Sequence, residues 1–208
     1  MATYYLTIPI SDDQIKQLHV GDTVYLSGVM VTGRDAAHGY LVDNFVKTGG
    51  RPPQAEAALY EKLKTLLKGS AIYHCGPVVS RDDAGKWHFV AAGPTTSSRE
   101  EPFQADVMGH FGVKAVIGKG GMGAKTLKGC VDHTYVYLHA VGGAATLIAD
   151  SVKEVLDVYK KDEFGVPEAF WVIRAEDFPT VVTMDAHGQS IHAQVEAASR
   201  ERLAALMK

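Results

Sequence analysis

The chain has 208 residues, a formal net charge of −3 and 22% charged residues, with apolar residues at the usual fraction for a globular protein that buries a sizeable core. This balance gives no general attraction to nucleic acid or anionic membranes, and no apolar run approaches the roughly 20 residues of a membrane-spanning helix. No low-complexity run, Pro/Ser linker or charge block marks a cut, so residues 1–208 read as a single domain. Cys75 and Cys130 are too few for a disulfide framework and fit a reducing compartment. The N-terminus lacks the basic region of a secretory signal, and a cytoplasmic location is expected.

Tyr4 to Ile8 alternates β-formers and reads as a first strand, followed by a capping box at Ser11-Asp12-Asp13-Gln14 that opens a short helix to Leu18. Thr23 to Leu26 and Val29 to Val31 read as two short strands, or one strand bulged at Ser27-Gly28, running into the loop Thr32-Gly33-Arg34-Asp35-Ala36-Ala37-His38. From Asp43 to Pro53 the pattern is loop-like. Gln54 to Lys68 is an amphipathic helix with Ala55, Leu59, Leu63, Leu66 and Leu67 near one face and Gly69 as its stop.

Ala71-Ile72-Tyr73 is a buried-type strand ending at His74-Cys75. Adjacent residues on a strand point to opposite faces, which argues against a Cys–His nucleophile pair there. Arg81 to Lys86 is a hairpin turn leading into a strand from Trp87 to Ala92. The spacing predicts helices over Glu100 to Gly112, Ala124 to Val131, Ala144 to Val155 and Val195 to Met207. It predicts strands at Ala115-Val116-Ile117, Thr134 to Leu138, Phe170 to Ile173 and Thr180 to Met184. The fold class expected is α/β, with a parallel sheet and a second antiparallel layer.

The stretch Gly93 to Gly123 organises the rest. It opens with Gly93-Pro94-Thr95-Thr96-Ser97-Ser98-Arg99, a turn with four hydroxyls and a guanidinium, and closes with Gly118-Lys119-Gly120-Gly121-Met122-Gly123. Both ends have the makings of an anion site, because backbone amides, hydroxyls and cations can converge there. A crossover helix between two parallel strands brings their carboxyl ends to one sheet edge, where open α/β sheets bind ligands. With Arg34 at a third glycine-containing turn, the cations Arg34, Arg99 and Lys119 suit a small di-anion.

Competing motifs are weaker. Gly118-x-Gly120-x-x-Gly123 matches the dinucleotide fingerprint formally, but the strand ending at Leu138-His139 carries no acid to hold a ribose hydroxyl. Ala124 separates Gly123 from Lys125-Thr126, where a phosphate-binding P-loop needs glycine and lysine adjacent. The nine histidines show no metal-ligand spacing, and no metal is assigned to this chain. Ser97 and Ser98 do not occupy a Gly-x-Ser-x-Gly elbow.

Four motifs, Thr32 to His38, Ala92 to Arg99, Gly118 to Gly123 and Phe164-Gly165-Val166-Pro167-Glu168-Ala169-Phe170-Trp171, occur in the order found in the beta subunit, or C-terminal domain, of class I fumarases and L-tartrate dehydratases. The chain resembles this family of iron–sulfur hydro-lyases over nearly its whole length. The resemblance implies a swivelling β/β/α domain that closes over a [4Fe–4S] cluster carried by a separate alpha subunit, in a heterodimer or heterotetramer. A cubane takes about three or four cysteine ligands, and with only Cys75 and Cys130 this chain is not expected to hold one unaided.

The resemblance also implies that Arg34, Arg99 and Lys119 bind the substrate and that Thr95 is the catalytic base. In the reaction implied, cluster iron would act as Lewis acid for the departing hydroxyl while cations clamp both carboxylates. The substrate expected is fumarate/L-malate, with L-tartrate giving oxaloacetate as the alternative. Gly39-Tyr40 stand where the family usually has basic residues, and the Asp43 to Lys68 segment is longer than usual, so substrate choice stays open. Two other classes are kept: a nicotinamide-dependent oxidoreductase resting on the Gly118 pattern, and a non-catalytic interaction module that would not need the three cations.

Overall fold

Alternation along short apolar strands builds two cores at once. Ala71, Tyr73, Ala115, Ile117, Val136, Leu138, Trp171 and Ile173 point to one side of the sheet, while their chain neighbours Ile72, Val116, Tyr137, Phe170 and Val172 point to the other. Strands buried on both faces read as continuous apolar runs, as these do in the sequence.

The structure is a computed structural model and describes residues 1–207. Its first half runs β1 (Thr3–Thr7), α1 (Asp12–Lys16), β2 (Thr23–Thr32), α2 (Asp35–Leu41), α3 (Ala57–Leu67), β3 (Ala71–Tyr73), β4 (Val78–Arg81) and β5 (Trp87–Ala91). The second half runs α4 (Gln104–Phe111), β6 (Ala115–Gly118), α5 (Ala124–His133), β7 (Val136–His139), α6 (Ala145–Asp150), β8 (Val152–Tyr159), α7 (Lys161–Phe164), β9 (Phe170–Met184) and α8 (Ile191–Leu206). Strands β1, β2, β3, β6 and β7 are parallel, β9 runs antiparallel to β7 and β8, and β9 also pairs with β2. That last pairing folds the sheet back on itself. One core fills the space between its two halves, and the other lies between the parallel strands and helices α2 to α5. The β4–β5 hairpin forms a small separate antiparallel sheet. The architecture is the expected α/β class with a central, mostly parallel sheet and an antiparallel second one.

Three expectations need correction. The segment 144–155 is not one helix: α6 ends at Asp150, where the buried Ser151 hydroxyl donates to Ile148 O, and the Val-rich residues beyond pair with β9 as β8. Partner strand and β-branched side chains override the helical spacing there. The strands expected at 170–173 and 180–184 are parts of one 15-residue strand, β9. Its middle is carried past Pro179 by the left-handed Asp177 (φ 48°), whose amide donates to Ser27 Oγ opposite the β2 bulge. Residues 42–46 form a π-helical continuation of α2 rather than a loop, because Leu41, Val42 and Phe45 are buried among the helices.

The β2 strand is single and bulged between Leu26 and Gly28, the second of the two readings the sequence allowed. Gly28 (φ +128°) is required there, since a Cβ would lie 2.9 Å from Ile8 Cβ. No helix among the described residues is long and apolar enough to cross a membrane.

Candidate active site

Parallel strands β2, β3, β6 and β7 present their carboxyl ends at one edge, and the residues that follow them are Gly33-Arg34, His74, Lys119 and Ala140. The loop 93–99 is laid across this edge by backbone hydrogen bonds. Thr95 N donates to His74 O (2.7 Å), Lys119 N donates to Thr95 O (3.3 Å), and Ser97 N donates to Lys119 O (3.1 Å). The two glycine-containing loops are thereby zipped into a short parallel ladder, with Thr95 and Lys119 as neighbours.

Arg34 caps α2, and its Nη2 pairs with Glu168 Oε1 at 3.1 Å, both side chains about four-fifths buried. The other oxygen of Glu168 accepts from Ala36 N at 3.2 Å, so one carboxylate fixes both the guanidinium and the first turn of α2. The loop that carries Glu168 is itself anchored by Trp171 Nε1, which donates to Val166 O at 2.9 Å. Burial raises the pKa of Glu168, against the pull of Arg34 and Arg99. Arg99 is exposed and closes the short turn Ser97–Arg99 that continues the loop laid across this edge. Among the described residues neither Arg99 nor Lys119 makes an ion pair. Thr95, Arg34, Arg99 and Lys119 thus come to one edge, three of them as cations of which two are uncommitted.

Behind the edge lies a fully buried polar network that sequence reasoning missed. Gln104 Oε1 can only accept, so His74 Nε2 carries the proton toward it (2.8 Å), leaving His74 Nδ1 to accept from Ser97 Oγ (2.8 Å). Ser97 Oγ in turn accepts from Tyr137 OH (2.9 Å). Burial holds His74 well below the usual histidine range and lowers His38 to about 4, so both rings are neutral. The rings pack edge to face with centroids 5.1 Å apart. Cys75, next in sequence, faces the other core, and burial pushes its thiol up to about 12. The His74–Cys75 sequence pair is therefore no nucleophile, as strand geometry required. The signal for His74 was its position after β3, and for Ser97 its place among the hydroxyls of the loop.

The far end of the glycine run does something other than expected. Glu101 places its carboxylate at the start of α5, where Oε2 accepts from Gly123 N (2.7 Å) and Thr126 Oγ1 (2.6 Å), and Oε1 accepts from Lys125 N (3.0 Å) and Thr126 N (3.2 Å). The amides a pyrophosphate would need are already satisfied from within. This removes the physical basis of the dinucleotide reading. Glu101→Gln replaces a charged acceptor at a helix start, and an expected loss of about 1–2 kcal/mol of stability should be read from the urea midpoint.

For an iron–sulfur cluster the donors of this chain do not fit. Cys75 and Cys130 are buried in different cores, burial raises both thiols, and among the described residues no three His, Cys, Asp or Glu side chains are grouped to hold a metal.

Against known proteins, the family model described as fumarase C-terminus matches residues 3–195. The chain belongs to the fumarase C-terminus family. It is 48% identical over 198 residues to a Geobacillus stearothermophilus protein provisionally named class I fumarate hydratase, which covers 95% of this chain. The chain spans only 35% of that relative's length. It is 37% identical over 198 residues to the L(+)-tartrate dehydratase subunit beta of Escherichia coli K12, covering 95% of this chain and 90% of that one. It is 39% identical over 195 residues to a provisionally named L(+)-tartrate dehydratase subunit beta of Methanocaldococcus jannaschii, covering 93% of each. The fumarase C-terminus unit therefore occurs both within a longer chain and as a subunit of its own length.

Proposed function

We propose that this chain is the beta subunit of a two-subunit iron–sulfur hydro-lyase that catalyses the reversible hydration of fumarate to L-malate. The single observation that carries the reading is the ladder that sets Thr95 beside Lys119, at the edge where Arg34 and Arg99 also converge. The names of the relatives agree with it.

A dicarboxylate at this edge would meet one cation per carboxylate with a third to spare. The two uncommitted cations, Arg99 and Lys119, would take the carboxylates, and Arg34, held by Glu168, would orient one of them. In the direction of dehydration, Thr95 Oγ takes a proton from the carbon beside a carboxylate, hydroxide leaves the adjacent carbon, and a carbon–carbon double bond forms. The charge that builds on the carboxylate during proton loss is what the cations stabilise most. A threonine hydroxyl is a poor base in water, and cations gathered at the same edge would favour its ionised form. In this reading the cluster belongs to the alpha subunit, and this chain supplies binding, orientation and the proton acceptor.

L-tartrate remains the second substrate, because the relatives of matching length carry the tartrate dehydratase name. The test is to mix this chain with its cluster-bearing partner without oxygen and follow malate–fumarate interconversion and oxaloacetate formation from L-tartrate, with each chain alone as control. Turnover only in the mixture supports the reading. A stable, cluster-loaded pair inert toward both would refute the substrate assignment.

A further inference from the structure

Six buried side-chain polar atoms among the described residues have no hydrogen-bond partner within the protein: Arg34 Nε, Asp35 Oδ1, His38 Nε2, both oxygens of Glu100, and Gln104 Nε2. They belong to five residues: Arg34 at the edge, Asp35 next to it, and His38, Glu100 and Gln104 grouped around His74 behind it. Polar atoms of this kind are rare in folded proteins, and their gathering at one place marks a function-bearing site. Glu100 is the outlier, with a fully buried carboxyl that finds no hydrogen-bond partner in any other residue and only its own backbone amide nearby. An ionised carboxylate so placed would be costly.

The one cation that bears on it is Arg34, whose Nη2 is already paired with Glu168. His74 Nδ1 is 4.0 Å from Glu100 Oε2, but both ring nitrogens are engaged, by Ser97 and Gln104, in a neutral ring. His38, from α2, is neutral and directs Nδ1 to Arg34 O. From α4 comes only the Gln104 amide, and from β7 only the Tyr137 hydroxyl through Ser97. The charges that bear on Glu100 are Asp35 and Glu168, which disfavour its ionisation, and Arg34, which favours it but is already paired with Glu168.

We infer that Glu100 is a positioning residue, kept as a neutral carboxylic acid so that Arg34 is not neutralised from behind and remains attractive to a substrate carboxylate at the front. Burial raises its pKa to about 7, with Asp35 and Glu168 adding to the effect. Ionisation would set a third acid around Arg34 beside Asp35 and Glu168. At an effective dielectric between protein and water, that extra charge weakens dianion binding by about tenfold. The consequence is a KM for the dicarboxylate that rises with pH through the midpoint of about 7, with kcat changing much less. Nothing in the Glu100 sequence position announces this, since it directly follows the exposed Arg99.

This inference rests on the hydro-lyase reading for its substrate, and its test separates the two. Glu100→Gln keeps the shape and cannot ionise. In the assembled enzyme it should hold KM near the low-pH wild-type value one unit above the midpoint, flattening the KM–pH profile while kcat stays within about threefold. In parallel, difference infrared spectra of this chain, wild type minus Glu100→Gln, should show a protonated-carboxyl band that disappears as pH passes about 7. A band absent from the difference spectrum at pH below 7 would overturn the inference. So would a variant that keeps the wild-type slope of KM against pH. Absence of turnover with every diacid would instead sink the hydro-lyase reading, and the infrared band alone would then decide whether Glu100 is held neutral.

Discussion

Thr95→Val in the assembled enzyme should lower kcat by about 10²- to 10⁴-fold, the range over which a positioned general base contributes. Valine keeps the branched shape and removes only the hydroxyl. Thr95 enters the site ladder through its backbone, with its amide on His74 O and its carbonyl receiving Lys119 N. The variant should therefore fold with an unchanged urea midpoint, and KM should move little. Thr95→Ser keeps an ionisable hydroxyl and should recover most of the rate. Arg99→Gln should behave differently, raising KM as well as lowering kcat, because a cation that grips a carboxylate acts on ground and transition state alike. Steady-state kinetics on the valine, serine and Arg99 variants separate these roles. A valine variant within about threefold of wild-type kcat would remove Thr95 from the chemistry.

The second large effect is structural. Gly118→Ala introduces a Cβ 1.8 Å from Ser97 Oγ and 3.1 Å from both His74 Nδ1 and Tyr137 OH. These are the atoms of the buried hydrogen-bonded chain behind the site, and all three are fixed: Ser97 by the Lys119 ladder, His74 by Gln104, and Tyr137 by its place in β7. No side chain can swing away without breaking a buried hydrogen bond, so overpacking and loss of bonding add. A cost of about 3 kcal/mol or more is expected, visible as a lowered urea midpoint and a large fraction of aggregated product. Alanine at Gly142, where the nearest atom to a Cβ is Lys119 Cδ at 3.6 Å, serves as the tolerated control. An unchanged midpoint for the Gly118 variant would show that the loops and the network are not packed against each other as described.

What the sequence made legible follows from how local each signal is. The short apolar strands, the Ser11 capping box and the Gly112 stop of α4 are set by residues within a few positions of one another, and all appear where expected. The continuity of β9 and the strand character of β8 depend on each other and on β2, far away in the chain, so residue spacing misled there. The same distinction divides the site. Arg34, Thr95, Arg99 and Lys119 stand at strand ends and glycine turns, and motif and topology sufficed to gather them. Glu168 was visible in its motif but had no role until Arg34 was seen against it. Glu100 and Glu101, adjacent acids at the start of a helix, face opposite fates: one is sealed behind the cations, the other caps α5. Only the three-dimensional arrangement tells them apart.

The proposed function requires that this edge receive a small dicarboxylate in the assembled enzyme. A structure of the cluster-loaded pair, determined without oxygen in the presence of L-malate, tests it most directly. The two carboxylates should be in contact with Arg99 and Lys119, with Arg34 turned toward one of them while still held by Glu168, and the Thr95 hydroxyl beside the carbon that loses its proton. Malate bound with its carboxylates away from all three cations would contradict it.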